Sequence, residues 1–315
     1  MGASLTRRAA LGLGAAVTAA VTAPAAASAT QPTCADDIRR AYRFHTGRAG
    51  GAWESVISLN GQDLVAARAD DVVEAYSVNK VAVATAVLDK VDRGLLTLTQ
   101  RVEVTADIVL TTGDGIIPLD GAYPSSITLG HVLALLLTVS DDTCVRLCGL
   151  VVPALEVNQI LVDKGFPKTQ VDPVANPNRF FLGKTTPRET HDLLRALAAG
   201  TLLSPASTAY LLGILRSQAA HTDGIRRDMS SVDRARVATK AGWFKDGRNE
   251  AGIVFDAQNN PALIYALFSQ GAGPDPNDFG GTHPAIKARA ALGPLFLNAV
   301  PATTSRTAYA PTNGG

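Results

Sequence analysis

Strand-forming segments lie near both ends of this chain, and helix-forming segments fill the region between them. Near the start, residues 53–68 read as two strands joined by Asn60-Gly61, a dipeptide typical of tight hairpin turns. Near the end, three segments are rich in β-branched and aromatic residues, as strands are: 236–244, 252–256 and 261–269. Because strands from both ends of the chain can pair in one sheet, the helical middle of the chain is expected to be an insertion.

The predicted insertion consists of helices. In residues 77–93 apolar side chains occupy every face of the predicted helix, which indicates that the helix is buried. Gly94 follows, as is typical of the residue that ends a helix. Further helices are predicted at 35–46, 129–139, 141–151, 154–164, 187–199, 205–217 and 282–299. We therefore predict an α/β plus all-α fold: an antiparallel sheet flanked by helices, from residues 35–72 and 226–300, with an inserted helical part at 73–225. The cleft between the two parts is the natural site.

Residues 165–186 interrupt the helical region. This segment is rich in Gly, Pro and Asn, and we expect no regular element in it. A structureless loop of this length inside a compact domain is usually functional.

Both ends of the chain are expected to lie outside the fold. Residues 1–29 contain Arg7-Arg8, an Ala/Gly-rich apolar run and the cleavage signal Ala27-Ser28-Ala29, which together are typical of a twin-arginine export signal. A generic secretory peptide is the alternative. Either one predicts a secreted protein whose catalytic domain spans 30–300. Residues 301–315 read as a disordered tail.

Charge and hydropathy argue against several kinds of partner. The formal net charge is only +1, so there is no basic surplus for nucleic acid. After the first 29 residues, no apolar run approaches the length of about 18 residues that predicts a membrane span. The five histidines fall in no metal-binding or triad pattern. We expect a monomer that uses no cofactor and acts on a small molecule.

Three cysteines occur in the mature region. Cys144 and Cys148 are i,i+4 on a predicted helix, where the side chains are about 5–6 Å apart, too far for a disulfide. We interpret both as small residues that pack in the protein interior. The state of Cys34 is left open by the sequence.

A serine and a lysine open the predicted buried helix. In Tyr76-Ser77-Val78-Asn79-Lys80, Ser77 and Lys80 are i,i+3 and share a helix face. Alone, this S-x-x-K match is weak, because a serine at a helix start beside a solvated lysine has the same spacing.

Two further motifs strengthen the match. Ser140-Asp141-Asp142 opens a predicted helix, and Lys240-Ala241-Gly242 lies on a predicted strand. They are near-matches to S-D-N and K-T-G, which complete one catalytic set with S-x-x-K.

With these motifs in this order, the chain resembles class A β-lactamases and penicillin-recognising serine hydrolases. The likeness extends to residues 127–143 and 185–218 and covers roughly 35–300. It implies a β-lactamase/transpeptidase-like fold and a secreted active-site-serine hydrolase. The expected substrate is a β-lactam or peptide-like molecule, attacked at its amide bond through an acyl-enzyme.

The resemblance implies a catalytic role for four residues. Ser77 would be the nucleophile, and Lys80 would take its proton if burial lowers the lysine pKa. Ser140 would pass a proton to the leaving nitrogen. Lys240 would supply positive charge beside it.

Four further residues are expected to bind substrate: Asp142, Gly242, Trp243 and Arg248. The backbone N–H groups of Ser77 and Trp243, which follows Gly242, would form an oxyanion hole. Arg248 would hold a substrate carboxylate through its planar guanidinium; a surface arginine near a hairpin is an equally good reading. Asp142 would either share a proton with Lys80 or recognise a cationic group on the substrate.

The chain departs from the family pattern at several positions. Ala241 replaces a threonine that helps to bind a carboxylate, and Asp142 replaces an asparagine. Residues 165–186 lack the family's E-x-x-x-N signature, and their only acid, Asp172, matches an earlier structural aspartate. Arg146 stands where a helix asparagine supports the missing glutamate. Both parts of the deacylation apparatus are therefore absent, and we expect slow turnover of the acyl-enzyme.

Three functions remain open on the sequence. The first is a β-lactamase-type hydrolase with slow deacylation. The second is another acyl-enzyme reaction on the same scaffold, such as a D-amino peptide peptidase, an esterase or a biosynthetic step. The third is a non-catalytic relative that binds its ligand, which the retention of all four catalytic residues argues against.

Overall fold

The computed structural model describes residues 33–300. The predicted export signal at 1–29 and the predicted tail at 301–315 lie outside the described residues. In chain order the elements are α1 (Cys34–Ala49), β1 (Ala52–Leu59), β2 (Gln62–Ala67), β3 (Val73–Glu74), a 3₁₀ turn (Tyr76–Asn79), α2 (Lys80–Asp92), β4 (Arg101–Val104), α3 (Ile117–Asp120), β5 (Ser125–Thr128), α4 (Leu129–Thr138), α5 (Asp142–Val151), α6 (Ala154–Asp163), β6 (Gln170–Pro173), β7 (Phe180–Thr185), α7 (Pro187–Ala198), α8 (Pro205–Leu215), α9 (Ser231–Arg234), β8 (Val237–Phe244), β9 (Gly247–Phe255), β10 (Pro261–Gln270) and α10 (Pro284–Ala299).

A five-stranded antiparallel sheet joins the two ends of the described chain. Its strand order is β2-β1-β10-β9-β8, so β8 is an edge strand. The predicted hairpin is confirmed, because Asn60 and Gly61 turn the chain between β1 and β2 with positive φ angles of 50° and 81°. The predicted pairing of early and late strands in one sheet is also confirmed.

Helices cover both faces of the sheet. On one face, α1 and α10 pack together against an apolar core that includes Ile57, Leu267 and Phe296. On the other face, α7 lies across β1, β9 and β10, and a larger core connects the sheet to the central helices. Helix α2 runs through this larger core, and residues 80–88 are all buried. Its all-round apolar pattern therefore predicted its position correctly.

The predicted helices are all present, with ends within three residues of prediction. Several begin where a polar side chain accepts a backbone N–H, as Thr128 does for α4 and Thr186 for α7. The sequence missed the short elements: the pairs β4–β5 and β3–β7, and helices α3 and α9. These elements are two to four residues long, except for β7, and carry little periodic signal.

The expectation of no regular element in residues 165–186 is wrong. Strands β6 and β7 form an antiparallel pair here, and β3 extends it to a three-stranded sheet. Asn176, Pro177 and Asn178 form the short connection 174–179 between the two strands, and Gly165 and Pro167 lie in turns before β6. The Asn158 side chain on α6 binds both the N–H and the C=O of Val171, so a tertiary contact supports a strand too short to be recognised from sequence.

Within residues 33–300, no single helix is long and apolar enough to cross a membrane. Helices α5 and α6 pass that test of length and composition only as a pair, and the chain bends by 81° between them.

Candidate active site

Ser77 lies in the 3₁₀ turn that precedes α2. The α-helix itself begins at Lys80, so the helix start predicted at residue 77 is in fact this tighter turn. The backbone N–H of Lys80 donates to the Ser77 carbonyl, which keeps both residues on one continuous turn. Tyr76 has a φ of 50°, a left-handed conformation that turns the chain sharply into Ser77. The Ser77 side chain is nearly buried, with only 8% of the residue exposed.

Edge strand β8 passes directly beside this turn at Gly242. A Cβ on Gly242 would stand 2.6 Å from the backbone nitrogen of Ser77 and 2.8 Å from that of Val78. Only glycine permits this approach. The approach brings the backbone at Gly242 and Trp243 next to that of Ser77, which is the arrangement that an oxyanion hole requires.

The Lys80 ammonium group is fully buried and has three acceptors. It donates to the Ser140 carbonyl, to Ser140 Oγ at 3.1 Å and to Asp142 Oδ1 at 2.6 Å. Asp142 therefore forms an ion pair with Lys80. All three N–H groups of the ammonium are occupied, and Ser77 Oγ is not among the acceptors.

Ser140 connects the two active-site lysines. Its Oγ lies 3.1 Å from Lys80 Nζ and 3.0 Å from Lys240 Nζ. The residue has a φ of 57°, which is unusual outside glycine, and it is buried. A single hydroxyl group is thus the link between the two buried amines.

Neighbouring Asp141 fixes the strained backbone at Ser140. Its carboxylate caps α5 at the N–H of Cys144 and also accepts the N–H groups of Ile116 and Ile117. Strained backbone persists where the surrounding structure fixes it from several sides, as it does here.

Lys240 is buried on β8 and faces the same hydroxyl. Besides Ser140 Oγ, its Nζ reaches the Ala241 carbonyl at 2.7 Å. Burial, reinforced by repulsion from Lys80, lowers the pKa of Lys240 well below its usual value. Within residues 33–300, Lys240 forms no ion pair with a carboxylate.

A loop that the sequence did not single out closes over Asp142. Asp142 Oδ2 accepts the N–H of Asp114, and the Asp142 N–H donates to the Asp114 carbonyl. Gly113 and Gly115 flank Asp114, and a Cβ on either would clash with Asp142 or Asp141. Burial and the nearby Asp142 charge raise the pKa of Asp114, while both lysines act in the opposite direction. No motif marks Asp114; its only sequence signal is the Gly-Asp-Gly setting.

The prediction that Arg248 holds a substrate carboxylate is wrong. Arg248 is fully buried, and its five N–H groups all end on backbone carbonyls, those of Lys245, Gly247, Pro276 and Asp278. Its guanidinium also lies 4.5 Å from the Phe279 ring centre. No donor is left for a ligand, because the loop after β10 folds over the side chain.

Position 241 supplies no ligand for a carboxylate either, as its alanine indicates in the sequence. Ala241 is buried and offers no hydroxyl. Next along β8, the Trp243 ring packs 5.7 Å from that of His221, a residue that the sequence did not identify as part of the site. Burial lowers the pKa of His221 to about 3, with further contributions from Arg289 and Lys240, so this imidazole is neutral at ordinary pH.

The β6–β7 hairpin presents no carboxylate in place of the missing glutamate. Its only acid, Asp172, is exposed, and its side chain has no hydrogen bond or ion pair within residues 33–300. The expectation that Asp172 holds this segment is therefore wrong. Asn79 does so instead, by donating to the carbonyls of Leu182 and Lys184.

Arg146 takes no part in this site. Its guanidinium donates to the Ile108 carbonyl at 3.1 Å, in the loop that follows β4. The position that a supporting asparagine holds in the family is thus used here to fasten a loop.

Other candidate chemistry does not appear in the described residues. Among residues 33–300, no group of three or more His, Cys, Asp or Glu side chains is arranged to hold a metal ion. Cys144 and Cys148 are buried and unpaired with each other, as predicted, and burial raises the pKa of Cys148 to about 12, which makes it unreactive. Cys34 is exposed and forms no disulfide with either of them.

Comparisons with known proteins identify the family of this chain. The family model described as "Beta-lactamase enzyme family" matches residues 35–300. A comparison with curated protein sequences gave no match.

Solved structures share the fold at low sequence identity. A beta-lactamase from Xanthomonas campestris has a TM-score of 0.71 at 23% identity, covering 84% of this chain and 99% of its own. A beta-lactamase from Sphaerobacter thermophilus has a TM-score of 0.70 at 20% identity, covering 84% of this chain and 95% of its own. PBP-A has a TM-score of 0.66 at 21% identity, covering 82% of this chain and 96% of its own. The fold is thus β-lactamase/transpeptidase-like, and the chain belongs to the beta-lactamase enzyme family.

Proposed function

We propose that this protein is an exported serine hydrolase that forms an acyl-enzyme at Ser77 with a β-lactam or a similar activated amide, and releases it slowly. The observation that carries the proposal is the cluster of Lys80, Ser140 and Lys240 beside the turn that holds Ser77. Ser77 and Lys80 occupy one turn, while Ser140 Oγ lies between Lys80 and Lys240 at 3.1 and 3.0 Å. Charged and proton-transferring side chains that are buried together in this way are typical of active sites.

Each group has a chemical task in acyl transfer. The Ser77 oxygen attacks the amide carbonyl, and the backbone beside Gly242 stabilises the negative charge that develops on the carbonyl oxygen. The amide C–N bond then breaks, and Ser140 is placed to give a proton to the leaving nitrogen. The two buried lysines surround this hydroxyl throughout the step.

Slow release follows from the hairpin that replaces a catalytic loop. Hydrolysis of the acyl-serine needs a water molecule that is held and deprotonated, and a positioned general base is typically worth about 10²–10⁴-fold in rate. The only acid in residues 165–186 is the exposed Asp172. Asp142 and Asp114 are the carboxylates nearest to the lysines, and Asp142 is already paired with Lys80.

A second acyl-enzyme reaction, on a D-amino peptide or an ester, is the alternative. It is favoured by one observation: neither Arg248 nor Ala241 has a free donor for the carboxylate that a penicillin carries. A solved structure in this fold, at 21% identity, is described as a mutant of PBP-A in an acyl-enzyme complex with penicillin G. That precedent supports penicillin as the first probe.

Labelling with a fluorescent penicillin tests the proposal. We expect one equivalent of label per chain, located by peptide mapping at Ser77. The Ser77→Ala variant should take up no label, whereas Ser231→Ala, a control at an exposed serine on α9, should label like the parent. Equal labelling of the parent and Ser77→Ala would overturn the assignment of the nucleophile. No labelling by any penicillin, ester or D-amino peptide probe would favour the non-catalytic alternative.

A further inference from the structure

We propose that the two active-site lysines exchange the roles implied by their motifs: Lys80 is a permanent ammonium ion held by Asp142, and Lys240, acting through Ser140, is the base that removes the Ser77 proton. This inference rests on the proposed acyl-serine function and names the base for it.

The first step of the argument is the environment of Lys80. Its three N–H groups are used by the Ser140 carbonyl, Ser140 Oγ and Asp142 Oδ1. Only a protonated amine has three hydrogens to donate. The 2.6 Å contact with a carboxylate further favours the charged form. A lysine held in this way cannot accept a proton, although the S-x-x-K position suggests that it should.

The second step is the contrast with Lys240. It is almost as deeply buried as Lys80 but has no carboxylate partner within the described residues, and only the neutral Ser140 hydroxyl and the Ala241 carbonyl face it. Two ammonium ions that share one buried hydroxyl repel each other strongly. The lysine that lacks a partner is the one that gives up its proton.

The charged groups around Lys240 come from several elements. Lys80 on α2 disfavours a positive charge on it. His221, after α8, is neutral at ordinary pH and adds no charge there. Asp142 on α5 and Asp114 from the loop before α3 act in the opposite direction. Burial and Lys80 prevail, and the pKa of Lys240 falls well below its usual value.

The third step is the orientation of the Ser140 hydroxyl. Its oxygen accepts from the Lys80 ammonium, so its own proton is free to point at Lys240 Nζ, 3.0 Å away. In acylation, Ser140 takes the Ser77 proton as its own proton moves to Lys240. The Ser77 oxygen bonds to the amide carbon, and the C–N bond breaks. Lys240 returns the proton through Ser140 to the leaving nitrogen and becomes neutral again, so no external acid or base is consumed.

Lysine NMR distinguishes the two assignments without any need for turnover. In protein labelled with ¹³C at lysine Cε, we expect one buried lysine, Lys240, to titrate at a lower pH than the exposed lysines, while Lys80 stays protonated over the same range. The signals are assigned with Lys240→Arg and Lys80→Arg. If an arginine variant fails to fold, Asp142→Asn, which alters the direct partner of Lys80, identifies the Lys80 signal. Loss of the Lys80 proton first would overturn the inference.

Acylation kinetics give an independent readout. Arginine is always charged and cannot act as a base, so at position 80 it keeps the charge and at position 240 it replaces a neutral amine by a cation. Lys240→Arg should therefore slow Ser77 acylation by about 10²–10⁴-fold, the usual worth of a general base, and Lys80→Arg should slow it much less. The rate in the parent should rise with pH along the Lys240 titration. In Asp142→Asn, the rate should still follow Lys240, but at a lower pH, because Asp142 favours the protonated form of Lys240 in the parent.

The reverse order of effects, with Lys80→Arg the more damaging, would contradict the exchange of roles. If the parent is not acylated at any pH, the proposed function fails, and the NMR titration still decides which lysine is neutral.

Discussion

Arg248 uses its entire hydrogen-bonding capacity on the fold. The side chain joins the turn between β8 and β9 to residues 276–278, with all five N–H groups bound to carbonyl oxygens. Hydrogen bonds from a charged donor are stronger than neutral ones, and a buried acceptor that loses its partner costs about 1–3 kcal/mol. The residue is therefore structural in this chain.

Arg248→Ala should accordingly lower the free energy of unfolding by about 3–5 kcal/mol, because several buried carbonyls lose their donor together. Arg248→Lys should recover only part of this, since an ammonium has three donors. Urea unfolding measures the change. The acylation rate per folded molecule should stay within a few fold of the parent. A variant of normal stability with weakened binding of anionic substrates would instead restore the carboxylate-binding role.

At the same scale, the sequence identifies the residues that carry catalytic motifs but not their neighbours. Ser77, Lys80, Ser140 and Lys240 can be recognised because their spacing is a property of the chain. Asp114 cannot, because its position depends on a loop that closes over Asp142 through backbone hydrogen bonds. Arg248 was misassigned because sequence cannot show that a distant loop covers a side chain.

At the scale of elements, the β6–β7 hairpin explains why the site has no general base on this side. It lies in residues 165–186, where the sequence lacks the family's E-x-x-x-N signature, and it is held by Asn79 at β7 and by Asn158 at β6. Sequence predicted the helices well because their apolar periodicity is long and regular. It failed on the hairpin because β6 has only four residues and owes its conformation to a side chain on α6.

Asn158→Ala should release β6 without disturbing the catalytic residues. Two hydrogen bonds to Val171 are lost, and we expect a destabilisation of about 1–3 kcal/mol, with faster amide hydrogen exchange in residues 170–173. Gln159→Ala on the same helix is the matched control, because the Gln159 side chain bonds only to exposed Asp163. Unchanged exchange in Asn158→Ala would mean that strand pairing alone holds the hairpin.

At the scale of the whole molecule, a buried ion pair joins the sheet to helix α10. Glu250 on β9 is fully buried and accepts from Thr239, Tyr265 and the backbone of Ile225, and it pairs with Arg289 on α10 at 3.2 Å. The strands and helices here were predicted from sequence. The pairing was not, because it joins residues from two elements whose packing is set only by the complete fold.

Glu250→Ala should be strongly destabilising, by about 3–5 kcal/mol, because it leaves Arg289 charged and unpaired in the interior. Replacing both residues, as Glu250→Ala with Arg289→Met, should cost less than the sum of the single changes. Urea unfolding of the four proteins in this cycle provides the comparison. Additive losses would show that the two side chains do not stabilise each other.

The central claim is that this molecule forms an acyl-serine faster than it hydrolyses one. Pre-steady-state kinetics with a chromogenic β-lactam or ester, followed in parallel by intact-mass analysis, measures both steps. We predict a burst of one equivalent of product per Ser77, an accumulated adduct of the acyl mass, and then a steady rate at least about 10²-fold slower, as the loss of a general base implies. A linear time course with fast turnover and no accumulated adduct would contradict the account and would require a deacylation base that the β6–β7 hairpin does not supply.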